Sequence, residues 1–380
     1  TGINQVALGY DALSDNTTGN YNIAIGHSSL ERNTEGNSNT AIGYASLFNN
    51  TEGNNNTASG YSALYSNTTG NDNTAIGLSA LKANTIGVKN SAAGYRALFS
   101  NTEGYDNIAL GHSSLYVNTT GDRNIAIGVR ALDNADTEND NLAIGHDALG
   151  GPIAGGDKNV AIGNFSLKTN TSGINNIAIG YDAMKTNEGG DKNISVGFQS
   201  LQANTEGNKN VAVGMYSMYA NTTASDNVAV GYESLKVNTT GTSNTALGYA
   251  SLSANTTANY NTAIGWQSML ATAGAGNYNT GVGARSLESN TTGDNNIGVG
   301  VNSLFTNSTG DGNIGVGRNA LYSASGSNNT SIGSYAGSNL TSGSSNVYVG
   351  QGAGASAGNV QNEVAIGQGV TGAGTNTVSI

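Results

Sequence analysis

The stretch "NTAIGLSALKANTIGVKN" (73–90) returns in paraphrase as "NIAIGHSSLERNTEGNSN" (22–39) and "NVAVGYESLKVNTTGTSN" (227–244). With the glycine that closes "AIG" as reference, the copies run from Gly9 and Gly26 to Gly350 and Gly367, 22 in all. Of the 21 spacings between them, 18 are 17 residues, two are 18 and one is 16. A helical hairpin repeat takes more than roughly 30 residues, so it is excluded. One turn of a β-solenoid fits. The pattern predicts an all-β chain, a parallel β-solenoid or β-roll of about 22 short turns.

Stacked turns, about 4.8 Å apart, make each repeat position a column. The residue four before the glycine is Asn in 20 of 22 copies, which predicts a hydrogen-bonded ladder through Asn22, Asn39, Asn56, Asn73, Asn90, Asn107, Asn124 and onward. Gln5 and Glu363 are the exceptions. Positions three and one before the glycine, such as Ile23 and Ile25, are mostly Ile, Val, Leu or Thr. They share one face of a strand, read here as the core face. The residue between them is Ala, Ser or Gly in every copy but one, Tyr348. A solvated column would drift among Lys, Glu and Gln. The restriction therefore predicts a second backbone against that face, with Ala24, Ala41 and Ala75 beside a chain–chain contact.

A second core column is Leu or Met, four residues after the glycine, from Leu13 to Leu321. "NTTG" or a relative then reverses the chain, Asn and Gly being residues that accept positive φ. About three large apolar residues per turn make a thin core against a backbone ordering cost of roughly 1–2 kcal/mol per residue. Self-association, as a homotrimer, is the expected remedy.

Gly supplies 56 of 380 residues, charged residues only 10%, and Pro152 is the single proline. Apolar residues on so strict a schedule exclude a disordered Gly/Asn chain. The net charge of −11, with 14 scattered Lys and Arg, argues against nucleic acid or an anionic membrane as partner. No run approaches the roughly 20 apolar residues of a membrane span, so this segment is not expected to insert into one. Without cysteine there is neither a disulfide framework nor a thiolate metal site, which fits an extracellular protein of a cell surface or virion. The sequence opens in mid-repeat and stops at "NTVSI", and reads as part of something longer.

After Gly333 the leucine column fails: Gly337, Gly354 and Thr371 take its positions, and "SYAGSNL", "QGAGASAG" and "GVTGAG" replace the NTTG turn. Two sections are expected, 1–333 as the 17-residue solenoid and 334–380 as a tighter roll. The phrase "NTAIGYASL…NTEGNNNTASGYSAL" (39–64) resembles repeats of phage and prophage tail-fibre proteins and of related bacterial surface proteins. "EVAIGQGVTGAGTNTVSI" (363–380) is similar to the 14-residue repeat of YadA-like heads of trimeric autotransporter adhesins. The first likeness covers about 1–333, the second the remainder. Both imply an extracellular fibre, and the second implies a trimer of left-handed parallel β-rolls.

The column just after the glycine holds Tyr10, His27, Tyr44, Tyr61, Tyr95, His112, His146, Tyr181, Phe198, Tyr232, Tyr249 and Trp266. It is a candidate stripe for binding host-surface glycans or proteins. The alternative is that the rings cover a corner of the turn and stack on one another. His27, His112 and His146 are five and two turns apart, on the order of 24 and 10 Å, too far to share a metal whose His ligands lie at about 2 Å. "GQGVTG" (367–372) has spaced glycines, but no helix can follow in "AGTNTVSI", so no dinucleotide site is expected. The turns "GDGN" and "GDKN" lack the nonapeptide spacing of calcium-binding rolls. Many "NTT" turns are glycosylation sequons in form.

No metal, cofactor or catalytic set is expected, and the chain reads as not an enzyme. The function expected is a structural extracellular fibre or adhesin segment, a stalk or head that presents a binding tip or touches a host or cell surface. The alternative is an ice-binding or carbohydrate-binding β-solenoid, since Thr recurs eight residues after the glycine from Thr17 to Thr119. Against ice, Glu35, Glu52, Glu103 and Glu206 stand in the adjacent column.

Overall fold

Each "AIG" forms a strand of only three residues. In the computed structural model, which describes residues 2–272, 274 and 276–380, strands run from β1 (Val6–Leu8) and β2 (Ile23–Ile25) to β11 (Ile177–Ile179). They continue from β12 (Ile194–Val196) to β22 (Val364–Ile366), followed by a two-residue β23 (Val378–Ser379). Contacts group the chain into two units, Thr1–Asp191 and Lys192–Ile380. Both are parallel β-solenoids, about 22 turns in total, and no helix occurs among the described residues.

Ile23 pairs with Thr40, Ala24 with Ala41 and Ile25 with Ile42, a shift of one repeat. The longer and shorter repeats keep this register, Ile144 pairing with Ile162 and Ile314 with Thr330. A slip by one residue would turn every strand side chain to the opposite face. Gly26 follows its strand at φ 132°, and a β-carbon there would lie 2.5 Å from the Gly43 carbonyl oxygen. Conformation and space both require glycine at this corner.

Positive φ recurs at Ser28 (54°), Leu30 (49°) and Ser38 (56°). Asn33 and Gly36 of the NTTG-type turn lie outside that region, so the expectation that this motif reverses the chain through positive φ is corrected. Gly36 answers to space instead: a β-carbon would meet the Gly53 carbonyl oxygen at 2.5 Å. The left-handed backbone of Leu30 costs roughly 1–2 kcal/mol. Burying its side chain contributes about 1.5–3 kcal/mol, and its N–H donates to the Ser46 carbonyl at 3.0 Å. Burial wins.

The strand faces are the reverse of the sequence expectation. Ala24, Ala41 and Ala75 are fully buried within their own chain, whereas Ile42 and Ile76 point outward, 42% and 49% exposed. Alternation puts positions three and one before the glycine on one face without saying which face is inside. The interior decides. A β-carbon on Gly281 would lie 2.7 Å from Ser268 Oγ and 2.9 Å from Met269 Cγ on the facing wall of the roll. The facing wall that limits this column to Ala, Ser and Gly belongs to the same chain, which overturns the chain–chain contact expected at Ala24, Ala41 and Ala75. Leu30, Leu47 and Leu64 are fully buried. One large apolar residue per turn reaches the core, not three.

From residue 334 the interior is rebuilt. Gly337 occupies a leucine position, and a β-carbon there would lie 2.8 Å from Tyr348 Cδ2. The fully buried Tyr348 ring, standing in the alanine column, fills the vacated volume. Its hydroxyl donates to Glu363 Oε2 at 3.0 Å, and Glu363 replaces a ladder asparagine. Two of the three sequence exceptions, Tyr348 and Glu363, thus satisfy each other. Strand register passes through the change: Thr330 pairs with Val347, and Val364 with Val378, 14 residues on.

Candidate functional site

Two asparagine columns hold the turns in register. Asn22, Asn39, Asn56, Asn73, Asn90, Asn107 and Asn124 are fully buried. The Asn39 N–H donates to Asn22 Oδ1 at 2.9 Å, and Asn22 Nδ2 donates to the Gly36 carbonyl at 2.8 Å. This column bonds side chain to backbone more than amide to amide. The amide-to-amide ladder lies seven residues after the glycine, where the sequence reading saw only turn residues. There Asn33 Nδ2 donates to Asn16 Oδ1, Asn50 to Asn33 and Asn67 to Asn50, each at 2.8 Å, and the series continues to Asn118. The signal that could have revealed it is the constancy of that Asn. Asn67 and Asn118 are sequon asparagines, but both are buried with Nδ2 donating twice, so the folded chain hides them from glycosylation.

The ladder breaks where Ala135 follows, leaving Asn118 Oδ1 buried without a partner, and resumes between Asn170 and Asn187. Close by, Glu138 is 4% exposed. Its Oε2 accepts the Asp136 and Thr137 N–H groups and its Oε1 that of Gly155. One carboxylate therefore caps three amides beside the enlarged turn that contains Pro152.

The predicted aromatic stripe lines an outer corner. Tyr10, His27, Tyr44 and Tyr61 form one stack, with centroids 5.3, 5.2 and 5.0 Å apart and interplanar angles falling from 28° to 8°. Tyr95 stacks on His112 at 5.0 Å, and Tyr232, Tyr249 and Trp266 stack in turn. His146 meets Phe165 edge-on at 5.3 Å, and Phe165 meets Tyr181 edge-on at 5.8 Å. Phe198 is edge-on to Tyr216 at 5.6 Å. The stacked faces cover one another and turn their edges to solvent, which leaves few free faces for a sugar ring. A second ladder, five residues after the glycine, was missed: Phe48 on Tyr65 at 5.1 Å, Phe99 on Tyr116 at 5.2 Å and Phe305 on Tyr322 at 5.0 Å.

The outward strand columns form a two-rank apolar stripe in each unit. Ile23 and Ile25, Thr40 and Ile42, Thr74 and Ile76, and Ile108 and Leu110 belong to the first; Val228 and Val230, and Ile297 and Val299, to the second. Neither rank contains a charged residue. The threonine column eight residues after the glycine spends its hydroxyls on the chain itself, Thr34 Oγ1 donating to the Thr51 carbonyl at 3.0 Å and Thr68 to that of Thr85 at 3.1 Å.

Charge gathers beside the enlarged turn. Asp147, 6% exposed, lies 2.7 Å from Arg130 Nε and 3.3 Å from Lys168 Nζ. Burial pushes its carboxyl up, but hydrogen bonds from Arg130 and Lys168 outweigh this and hold it below the usual carboxylate range. Asp133 is pushed up to about 6, by burial and then by the Asp147 charge. His146 Nδ1 is 3.7 Å from Asp147 Oδ2. Arg130, Lys168 and His146 thus all converge on the one Asp147 carboxylate. Among the described residues, no group of three or more His, Asp or Glu could hold a metal ion. No protein-family model matches this chain, and no curated protein matches it.

Proposed function

We propose that the chain is a structural segment of an extracellular fibre or adhesin that self-associates, as a homotrimer, through the apolar strand stripe. One observation carries this reading: two uncharged ranks, mostly Ile, Val, Leu and Thr, face outward turn after turn, exposed or half-buried. Contiguous apolar surface of this extent marks an interaction site, because a solvated column would not stay free of charge. The contact face is thus the Ile76 and Leu110 side of the strand, not the alanine side.

Sedimentation tests it. The expected mass is about three times 38.2 kDa, and Ile76→Glu with Leu110→Glu should lower it while the strand signal in circular dichroism persists. A mass of 38.2 kDa at every concentration would sink the self-association. One observation favours a second reading, ice binding: the stripe is uncharged and two ranks wide, and includes Thr40 beside Ile42 and Thr74 beside Ile76. Inhibition of ice recrystallisation by a monomer, lost in the Glu variants, would establish that reading in place of the first.

A further inference from the structure

A trough runs along the corner between the two aromatic ladders. Its floor is the residue two after each glycine, and its walls are the residues one and five after it. At two turns the chain fills the trough with an aromatic ring of its own. Tyr216 does so at φ 58°. Its ring lies edge-on to Phe198 at 5.6 Å and to Tyr219 at 5.8 Å, with Lys236 Nζ 5.5 Å from its centroid. Phe165 does the same at φ 62°, edge-on to His146 and Tyr181, with Lys168 Nζ at 4.9 Å and Lys185 Nζ at 5.6 Å. Both turns share one arrangement, a ring edge-on to aromatic walls with an ammonium over it, which the ring quadrupole favours.

At Ser62 the same walls stand without the ring. In repeat position Tyr44, Tyr65 and Lys82 correspond to Phe198, Tyr219 and Lys236, while Ser62 takes the place of Tyr216. The floor stays small over successive turns, through Ser28, Ala45, Ser62 and Ser79, each nearly buried. A cavity of about 450 Å³ opens there between Tyr44, Tyr61, Phe48, Tyr65 and Lys82. We infer that the trough above Ala45 and Ser62 is a binding site for an aromatic ring supplied from outside this fold. The ring takes the place that Tyr216 fills with its own: edges of Tyr44 and Tyr65 beside it, Lys82 over it. This inference stands apart from the fibre reading, since it uses neither the apolar stripe nor the oligomeric state.

The test is saturation-transfer NMR on the full chain with p-cresol as probe and cyclohexylmethanol as the non-aromatic control. p-Cresol should bind and the control should not. Ser62→Tyr recreates the filled turn and should weaken p-cresol roughly tenfold or more, and Lys82→Gln should weaken it several-fold. Conversely, Tyr216→Ala should open a second site and raise the number of probe molecules bound. N-acetyl-tyrosinamide distinguishes the sources: binding like p-cresol assigns the site to a side chain on another polypeptide, and failure beside p-cresol binding assigns it to a free phenol. Equal binding of cyclohexylmethanol, or p-cresol binding unchanged in both Ser62→Tyr and Tyr216→Ala, would overturn the inference.

Discussion

Asn67 sits in the middle of the amide ladder, and its fate shows what a single residue contributes. Its Nδ2 donates to Asn50 Oδ1 at 2.8 Å and to the Gly70 carbonyl at 3.0 Å, and its Oδ1 accepts from Asn84 at 2.7 Å. Removing the amide strands two buried groups, Asn50 Oδ1 and one Asn84 N–H, while the Gly70 carbonyl keeps its bond from Asn56 Nδ2. A buried group left unsatisfied costs roughly 1–3 kcal/mol. Asn67→Ala is therefore expected to destabilise by about 2–4 kcal/mol. Asn67→Asp should cost more at neutral pH, because it removes both donors and adds a buried charge, and the excess should vanish once acid protonates the carboxyl. Urea unfolding of both variants at neutral and acid pH checks this, and a loss under about 0.5 kcal/mol for Asn67→Ala would reduce the ladder to decoration. The molecule already tolerates interruptions, at Ala135, where Glu138 supplies acceptors to neighbouring amides while Asn118 Oδ1 goes unpaired, and at Thr272, where Asn255 Oδ1 goes unpaired.

At the scale of an element, the section from 334 onward shows how a changed interior stays closed. Tyr348 fills the space of the missing leucine, and Glu363 accepts its hydroxyl together with the Ser356 and Gly374 N–H groups. Burial raises the Glu363 carboxyl, but these hydrogen bonds outweigh it and hold the group below its ordinary 4.5. A carboxyl depressed in the folded state contributes stability above its unfolded pKa and loses it as pH falls through the folded value. Glu363→Gln should therefore weaken amide-exchange protection at Ser356 and Gly374 at about pH 7, with the difference from the parent shrinking below about pH 4. A difference that stays constant across that range would mean the carboxylate charge is not what closes the turn. The period, the strands and the leucine column were legible because the same constraint repeats in every turn. Sidedness was not, since Ile23–Ala24–Ile25 alternates identically whichever face is inside, and only the width of the roll excludes the isoleucines. Nor could Tyr348 and Glu363 be matched on paper, because their compensation is a contact between columns. The aromatic stripe was legible as a column, but the trough beside it depends on where Phe48 and Tyr65 project.

Within each unit every turn meets its neighbours through the same columns, so stability should approximate a sum over turns and the interfaces between them. Deleting residues 39–55 removes one full period from the first unit and joins Ser38 to Asn56. Ile23 then pairs with Thr57, Asn22 meets Asn56, and Asn33 meets Asn67, each the same kind of contact as before. Such a chain should keep its strand signal, unfold within about 1 kcal/mol of the parent and still self-associate. Deleting only residues 39–47 is the informative contrast. It places Ser38 before Phe48, so the strand, the asparagine and the leucine of that turn are all lost from their columns, and Ile23 and Leu30 face a broken neighbour. The shorter deletion should therefore be the more damaging, by several kcal/mol and with loss of protection in both flanking turns. Thermal unfolding and sedimentation of the two variants decide it. If the 17-residue deletion were the worse tolerated, one particular turn would be carrying the fold, and the column rule would fail.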